Sequence, residues 1–504
     1  MKRAGRRAPR QSGSIAQAPF KQITRPYAAI DVISEDEVTA IHNAACRVLS
    51  EIGMKVLHPP ARKLFQGAGA VVQGDMVRLD PAMVSERLKT VPRRFTLAAR
   101  NPAHNLRVGG KDLIFASVGG PAYVMDNDHG KRDGTYSEMC DYLKLVQSLN
   151  ILHQEGGCPF EPLDLPANTR HLDMYRAQIL HLDKNWQTQT LGHARTMDGI
   201  EMAAIAMGTT PEGLRSTPTL LGIINTNSPL QLDIPMAEGL IAMADHGQVV
   251  AITPFTLAGA MSPITIAGAL VQQHAEALAG IVLTQIVRPS VPVMYGGFTS
   301  NVDMRTGSPA FGTPEYTKAA QASGQLARHI GVPFRSSNVT AANEIDAQAA
   351  YESQMSLWGA LMGGAHLINH AAGWMHGGLT ASFEKLILDA EMLGMMAAYF
   401  DPIEVSAASL AVDAIRDVGP GGHFFGSDHT MRRYETAFYT PLLSNWDNHT
   451  SWLEKGGVQT RERANTVWKQ MLNEHVAPEI DAAISEALDA YVARRVEEGG
   501  APMN

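Results

Sequence analysis

Apolar and polar positions along the chain fall first into a helical period and then into short runs. Val38, Ile41, Ala45, Val48, Leu49 and Ile52 share one face of a predicted helix. Ser34 and Glu37 stand at capping-box spacing at its start, and Gly53 sits where a C-terminal cap belongs. Val71-Val72-Gln73-Gly74-Asp75-Met76-Val77 predicts a hairpin, and Pro81–Leu88 a short helix. From about Lys111 a different rhythm begins. The runs Leu113–Ser117, Ile151–Glu155, Asn185–Thr190, Thr219–Asn225, Val249–Pro254, Val291–Tyr295, Pro333–Ser337 and Ala365–Asn369 each lead into a loop and then a helical pattern. They recur roughly every 30–40 residues, the length of a βα unit. Several are rich in β-branched residues, and they alternate little, as parallel strands covered on both faces do.

The helices between the runs carry their own punctuation. Thr135 and Glu138 form a capping box, Thr313-Pro314 opens a helix, and Gly331 ends it before Pro333. Val249–Gln272 has no charged residue, but Pro254, Pro263 and several Ser and Thr interrupt it. It reads as a buried strand, a loop and the start of a helix, not a membrane span. Past residue 400 the pattern is helical, with Ile480, Ile484, Leu488 and Val492 on one face of a closing helix. Eight consecutive βα units close most naturally into a (β/α)8 TIM-type barrel. The chain then divides into a disordered basic tail at 1–20, an N-terminal α+β extension at 21–110, the barrel at 111–400, and a C-terminal loop and helical region packed on the barrel at 401–504.

Composition narrows the function. A chain of 504 residues that is 45% hydrophobic can bury a large core, which excludes global disorder. Its 42 basic and 50 acidic residues, net −8, argue against nucleic acid or an anionic membrane as partner. Cys46, Cys140 and Cys158 form no disulfide framework, which points to a reducing, cytoplasmic setting. Lys2, Arg3, Arg6, Arg7 and Arg10 are followed by no apolar run of the kind a secretory signal needs.

In such a barrel the chemistry lies at the C-terminal ends of the strands. Those ends carry Ser117-Val118-Gly119-Gly120, His153-Gln154-Glu155-Gly156-Gly157-Cys158, Gln187-Thr188-Gln189-Thr190 and Asn225-Thr226-Asn227-Ser228. Thr253-Pro254-Phe255, Tyr295-Gly296-Gly297-Phe298, Arg335-Ser336-Ser337-Asn338 and Asn369-His370 follow, the last leading to Gly373-Trp374. Amides, hydroxyls and aromatics dominate. Glu155 is the one carboxylate, and with His153 it is the candidate catalytic group; accepting backbone N–H groups explains it equally well. There is no paired acid, nucleophile elbow, P-loop or dinucleotide fingerprint. Cys158, His153, His370, His376, His423 and His429 lack the spacing of a metal site, so no metal is expected. Phe255, Tyr295, Phe298 and Trp374 together could box a quaternary ammonium through cation–π attraction. Glycine pairs such as Gly296-Gly297 let a large flat ligand approach.

Longer motifs carry a family resemblance. Gly259–Thr265, Ala267–Gln273 and Arg288–Gly296 resemble the signature of the trimethylamine:corrinoid methyltransferase superfamily. Asp346–Glu352, and Gly422-His423-Phe424-Phe425-Gly426 followed by His429-Thr430, are similar to the same family. The resemblance runs from about residue 25 to the end. It implies a (β/α)8 barrel that moves a methyl group from a methylamine to the Co(I) of a separate corrinoid protein. The founding members carry pyrrolysine; this chain has only ordinary residues and resembles the branch without it, whose members demethylate quaternary amines such as glycine betaine. Arg335 would then hold the substrate carboxylate, with Asn225, Asn227 or Asn338 as amide alternatives. Gly296, Gly297 and His370 would meet the corrinoid, and His423, Phe424 and Phe425 on the Gly419–Gly426 loop would cover it. The D-x-H-x-x-G pattern of a corrinoid carrier is absent, so the cofactor would arrive on a partner protein. A homo-oligomer is expected. Two other readings remain open: a zinc-dependent corrinoid methyltransferase for another donor, and a betaine-binding sensor without turnover.

Overall fold

The computed structural model describes residues 15–502. At its centre is a curled eight-stranded sheet flanked by helices. Seven strands run parallel: β1 (Asp112–Ser117), β2 (Gln187–Thr188), β3 (Leu221–Ile224), β4 (Val249–Ile252), β5 (Val293–Gly296), β6 (Phe334–Ser337) and β7 (Leu367–Ala372). They lie in the order β1-β7-β6-β5-β4-β3-β2, and the short antiparallel strand Ile23–Thr24 pairs with β1. Seven of the eight expected runs are therefore strands. The run Ile151–Glu155 is not. Only Gln154 bridges the two ends of the sheet, singly to Ala116 and to Asn185. The cause is local: His153 Nδ1 accepts the Phe115 N–H at 2.9 Å, so a side chain takes a donor that a continuous ladder would use.

Side chains alternate along each strand. Ile114, Ala116, Leu221, Val249, Ala251, Met294 and Leu367 fill the inside of the curl. Their neighbours Phe115, Val250, Tyr295, Phe334 and Ile368 face the helices and join the main core. Covered on both faces, such strands read as unbroken apolar runs.

The outer layer contains α1 (Glu35–Arg47), α2 (Tyr136–Ser148), α3 (Arg170–His181), α4 (His193–Ala206), α5 (Ile234–Asp245) and α6 (Ile266–Val287). It continues with α7 (Pro314–Ile330), α8 (Ala347–Gly363) and α9 (Phe383–Tyr399). The capping boxes expected at Ser34 and Thr135 both form, and Gly331 adopts the left-handed cap after α7. α6 is long and apolar enough to span a membrane, but most of its residues are buried within the protein.

The N-terminal segment contains the hairpin Val71–Gln73/Met76–Arg78 and the helix Pro81–Leu88, and α1 packs on α6. The basic residues 2–10 of the expected tail lie outside the described residues. Residues 15–20 depart from the solvated-tail expectation, because Gln17 bonds both Ser148 O and the Asn150 N–H. After α9 the chain leaves the body at Phe400 and returns at Leu443. It closes with α10 (Thr460–Asn473) against α9 and α11 (Ala482–Glu497) against α3 and α4. Residues 401–442 contribute no buried side chain, and buried positions resume at Leu443.

Candidate active site

The inward alternation brings Arg335 in β6 and Asn369 in β7, and Asn225 and Thr253 just past the ends of β3 and β4, to the floor and walls of one cavity of about 690 Å³. Four aromatic rings form one side. Phe298 lies 5.2 Å from Phe255, 5.9 Å from Phe311 and 6.2 Å from Trp374, with centroids as reference points. His370 stacks 4.4 Å from Trp374. It sits at φ 53°, where the register of β7 against β1 slips, a bulge that re-aims its side chain.

Arg335 is the only charged residue among the strand residues lining this cavity. It is 1% exposed, and its guanidinium lies 5.7 Å from the Phe298 ring. Its Nε and Nη1 have no hydrogen-bond partner, and no carboxylate pairs with it among the described residues. Burial pulls its pKa down from 12.5 to about 10, which still leaves it charged at neutral pH. Burial, reinforced by Arg335, holds His370 well below the ordinary histidine value, so its ring is neutral.

Amides cross the floor. Gln187 Nε2 donates to Gln154 Oε1 at 3.0 Å and to Asn369 Oδ1 at 2.8 Å, and Asn369 Nδ2 lies 3.3 Å from His370 Nε2. Opposite the aromatics, two glycine pairs form a wall by backbone contact: a Cβ on Gly119 would drive into Gly156 O, and one on Gly156 into Ser117 O. At the rim, Glu161 accepts from Gln189 Nε2 at 3.1 Å and from Arg170 Nη1 at 3.3 Å.

Of the residues expected from the sequence, Phe255, Phe298, Arg335, Asn225, Trp374 and His370 line this cavity. The others are elsewhere. Tyr295 has the opposite strand parity and bonds Gln273 and His274 on α6, under the helix layer. Asn338 faces away for the same reason and donates to Ala371 O. Asn227 is on the surface, paired with Asp233. Gly296 and Gly297 are packed against Thr253 and Ser323, with no room for a ligand.

His153 lies beneath the cavity, bonded to Lys21 O and the Phe115 N–H, and burial lowers its pKa to about 4. Glu155 accepts the N–H groups of Gly157 and Cys158 and the Gln178 amide, so it pins the glycine loop and does not face the cavity. Burial lifts its pKa to about 7 against those bonds. His423, Phe424 and Phe425 stand on an exposed segment after α9 and do not line the cavity.

Sequence reasoning missed Phe311, Glu161, Arg170 and Arg195. Phe311 and Glu161 come from connecting segments and Arg170 and Arg195 from the first turns of α3 and α4, where only the folded chain shows what faces the cavity. The nearby acids are committed to structure. Glu276 accepts from Thr226, Ser228 and Leu230, and Glu352 from Thr340, Ala341 and Ala342. Asp389, paired with buried Lys385 at 2.5 Å, accepts the Gly373 N–H beside Trp374. The residues Asp126, Asp128 and His129 group together outside the cavity, with Arg132 and Lys469 on the two carboxylates. The arrangement can bind a cation with an attached anion, orient it and exclude water. One His–carboxylate pair reaches the cavity lining, His171 on Asp198 at 2.8 Å, with Tyr491 and Arg495 also on that carboxylate.

A family model described as trimethylamine methyltransferase (MTTB) matches residues 1–500. The chain is 37% identical over 471 residues to a glycine betaine methyltransferase of Desulfitobacterium hafniense, covering 93% of this chain and 98% of that protein. It is 27% identical over 479 residues to a trimethylamine methyltransferase, MttB1, of Methanosarcina mazei, covering 92% and 94%. Its fold is similar to the crystal structure of the Methanosarcina barkeri monomethylamine methyltransferase (MtmB). That match has a TM-score of 0.50 and 11% identity and covers 89% of each chain.

Proposed function

Because the chain belongs to the trimethylamine methyltransferase family, we propose that it transfers a methyl group from a carboxylated quaternary amine, glycine betaine or a close relative, to the Co(I) of a corrinoid carried by a separate protein. One observation carries the choice of donor: buried Arg335, with two unpartnered nitrogens, stands beside a cluster of four aromatic rings. A buried guanidinium without a partner is costly unless a ligand supplies the anion. A betaine supplies both parts, a carboxylate for the guanidinium and an N-methyl cation for the rings. Trimethylamine lacks the carboxylate.

The acceptor fits the remaining space. The cavity is larger than a small betaine, and its glycine walls allow a broad, flat group to approach. Bound there, the corrinoid supplies the nucleophile. The residues of this chain bind and align the donor. The aromatic wall and buried amides keep water out, and the apolar setting favours a reaction in which opposite charges are lost. The leaving amine is neutral and needs no proton. Neutral His370 buttresses Trp374 without placing a second positive charge near the ammonium.

We also read the curled sheet, with its ends linked through Gln154, as a (β/α)8 barrel at residues 111–400, between an N-terminal layer and a C-terminal layer. We place the protein in the cytoplasm, working with a corrinoid protein. The test is anaerobic spectroscopy of the purified protein with cob(I)alamin and a panel of methylated amines. We expect Co(I) to convert to methylcobalamin with glycine betaine and not with trimethylamine. Conversion with trimethylamine alone would overturn the reading, and betaine binding without methyl transfer to free or protein-bound corrinoid would favour a sensor.

A further inference from the structure

Between Phe400 and Leu443 the chain makes an excursion from the body. It leaves at the end of α9, where Phe400 is buried. It returns to the same helix, where Glu391 accepts the N–H groups of Leu442 and Leu443 and the Ser444 hydroxyl. No residue from 401 to 442 is buried. Among the described residues, the hydrogen bonds of Ser406, Ser409, Arg416, Arg432 and Tyr434 go to partners within residues 404–435. Yet this is not a linker by composition. It forms the helical turns Ala407–Leu410, Val412–Val418 and Asp428–Met431, with caps at Ser406 and Ser427. Large apolar side chains project throughout it: Ile403 is 91% exposed, Phe425 86% and Phe438 84%. Val405, Leu410, Val412, Ile415, Phe424, Met431 and Tyr434 are also exposed. Linkers and disordered segments are poor in such residues, and extensive exposed apolar surface marks interaction sites.

A second uncovered apolar strip lies beside the point of departure. Tyr351 and Met355 on α8, Met395 and Tyr399 on α9, and Tyr27 are all exposed. Tyr399 meets Trp358 edge to face at 5.2 Å and Tyr27 at a tilt at 5.7 Å, so ring contacts link the three segments. We infer that residues 401–442 form an arm that docks on the α8–α9 strip of a second copy of this chain, whose own arm docks in return. Departure next to the strip allows one two-fold axis to place each arm on the other's strip, which gives a closed, isologous pair. The areas suffice: the exposed parts of ten large apolar side chains amount to on the order of 1,000 Å² per arm, and two arms exceed the roughly 1,600 Å² a stable interface buries.

Placement also separates this partner from the corrinoid protein. α9 is capped by Ser382, whose N–H bonds Gly373 O beside the cavity, and runs away from it. Its far end, where the arm leaves, is about 25 Å from the cavity at 1.5 Å per residue. A protein presenting cobalt to the cavity would approach the opposite end of the molecule.

Light scattering on the full chain gives the first test, and we expect twice the 54.4 kDa chain mass or a multiple of it. A monomer at 10 µM would overturn the inference. Phe425→Glu with Phe438→Glu, on the arm, and Met395→Glu with Tyr399→Glu, on the strip, should each halve the mass. Mixing the two variants should restore pairing, because one intact arm then meets one intact strip. Retained mass in both variants, or failure of the mixture to pair when circular dichroism shows both folded, would overturn it. If the strip variant misfolds, the arm variant and the wild-type mass still decide the question, since the arm contributes no buried residue.

Discussion

Replacing Arg335 by Met gives the sharpest test of the site, because binding and stability should move in opposite directions. The methionine keeps most of the side chain's volume against Phe298 and removes the charge. Removing one partner of a buried, hydrogen-bonded charge pair costs roughly 2–5 kcal/mol, a loss of about 30-fold to several thousand-fold in affinity. Calorimetric titration should therefore show glycine betaine binding weakened at least 30-fold. Choline, which offers the same cation without a carboxylate, should bind Arg335→Met as well as or better than wild type. In the free protein the guanidinium has no carboxylate partner, and its pKa falls from 12.5 to about 10. That fall corresponds to about 3 kcal/mol paid to keep the buried charge, so the variant should melt a few degrees higher than wild type. The pH dependence follows the same group. The guanidinium is charged below about 10, so wild-type affinity for betaine should decline as pH rises through that value while choline affinity does not. Equal losses for betaine and choline, together with a lower melting temperature, would refute the assignment and make Arg335 a structural residue.

Other perturbations follow from the same geometry. Phe298→Leu and Trp374→Leu each remove one ring from the cluster, and at about 0.5–2 kcal/mol per cation–π contact each should weaken both betaine and choline by roughly 2- to 30-fold in titrations. Gly119→Ala would push a methyl into the Gly156 carbonyl and should lower both melting temperature and methyl transfer, whereas Gly426→Ala, which meets no neighbour, should change neither. Lys385→Met leaves Asp389 buried without its partner and should cost about 3–5 kcal/mol in urea unfolding, largely recovered when Asp389→Asn is added. Glu155, raised from 4.5 to about 7 in the folded chain, holds its proton more tightly than when unfolded. Its contribution is therefore complete below about pH 4.5 and is lost as pH rises through 7, by about 3 kcal/mol. Glu155→Gln should abolish that part of the decline in unfolding midpoint between pH 5 and 8 while leaving kcat within a few-fold; a collapse in kcat would make Glu155 catalytic.

The elements were legible in the sequence to the degree that local rules govern them. Parallel strands covered on both faces leave runs such as Val249–Ile252, and caps such as Thr135 and Gly331 mark helix ends without reference to the rest of the chain. The run Ile151–Glu155 failed because what decides it is non-local: the His153 imidazole takes the Phe115 N–H across the sheet. The site divides in the same way. Arg335 and Trp374 follow from reading the ends of runs, but Tyr295 and Asn338 were misplaced because adjacent strand residues face opposite sides. Counting parity inward from Met294 would have put Tyr295 under α6. Phe311 and Glu161 could not be found this way, because nothing local to a connecting loop says which of its side chains turns inward.

The distribution of carboxylates links the fold to the chemistry. Glu155 fixes the glycine loop, Glu276 and Glu352 fix the loops after β3 and β6, and Asp389 fixes the turn that carries Trp374. Each is largely or wholly buried and bonded to backbone N–H groups, so these four acids serve as anchors and are not available as bases, while Glu161 at the rim is held by Arg170 and Gln189. A reaction that abstracted a proton would need one of them free and facing the substrate. A methyl transfer with a neutral leaving group needs instead that the donor be held in line to within fractions of an ångström. Four anchored loops around an aromatic cluster and one unpaired guanidinium meet that need. The anchoring acids and Arg335 are then complementary: the acids are bonded within the protein, whereas the buried guanidinium keeps two nitrogens without a partner.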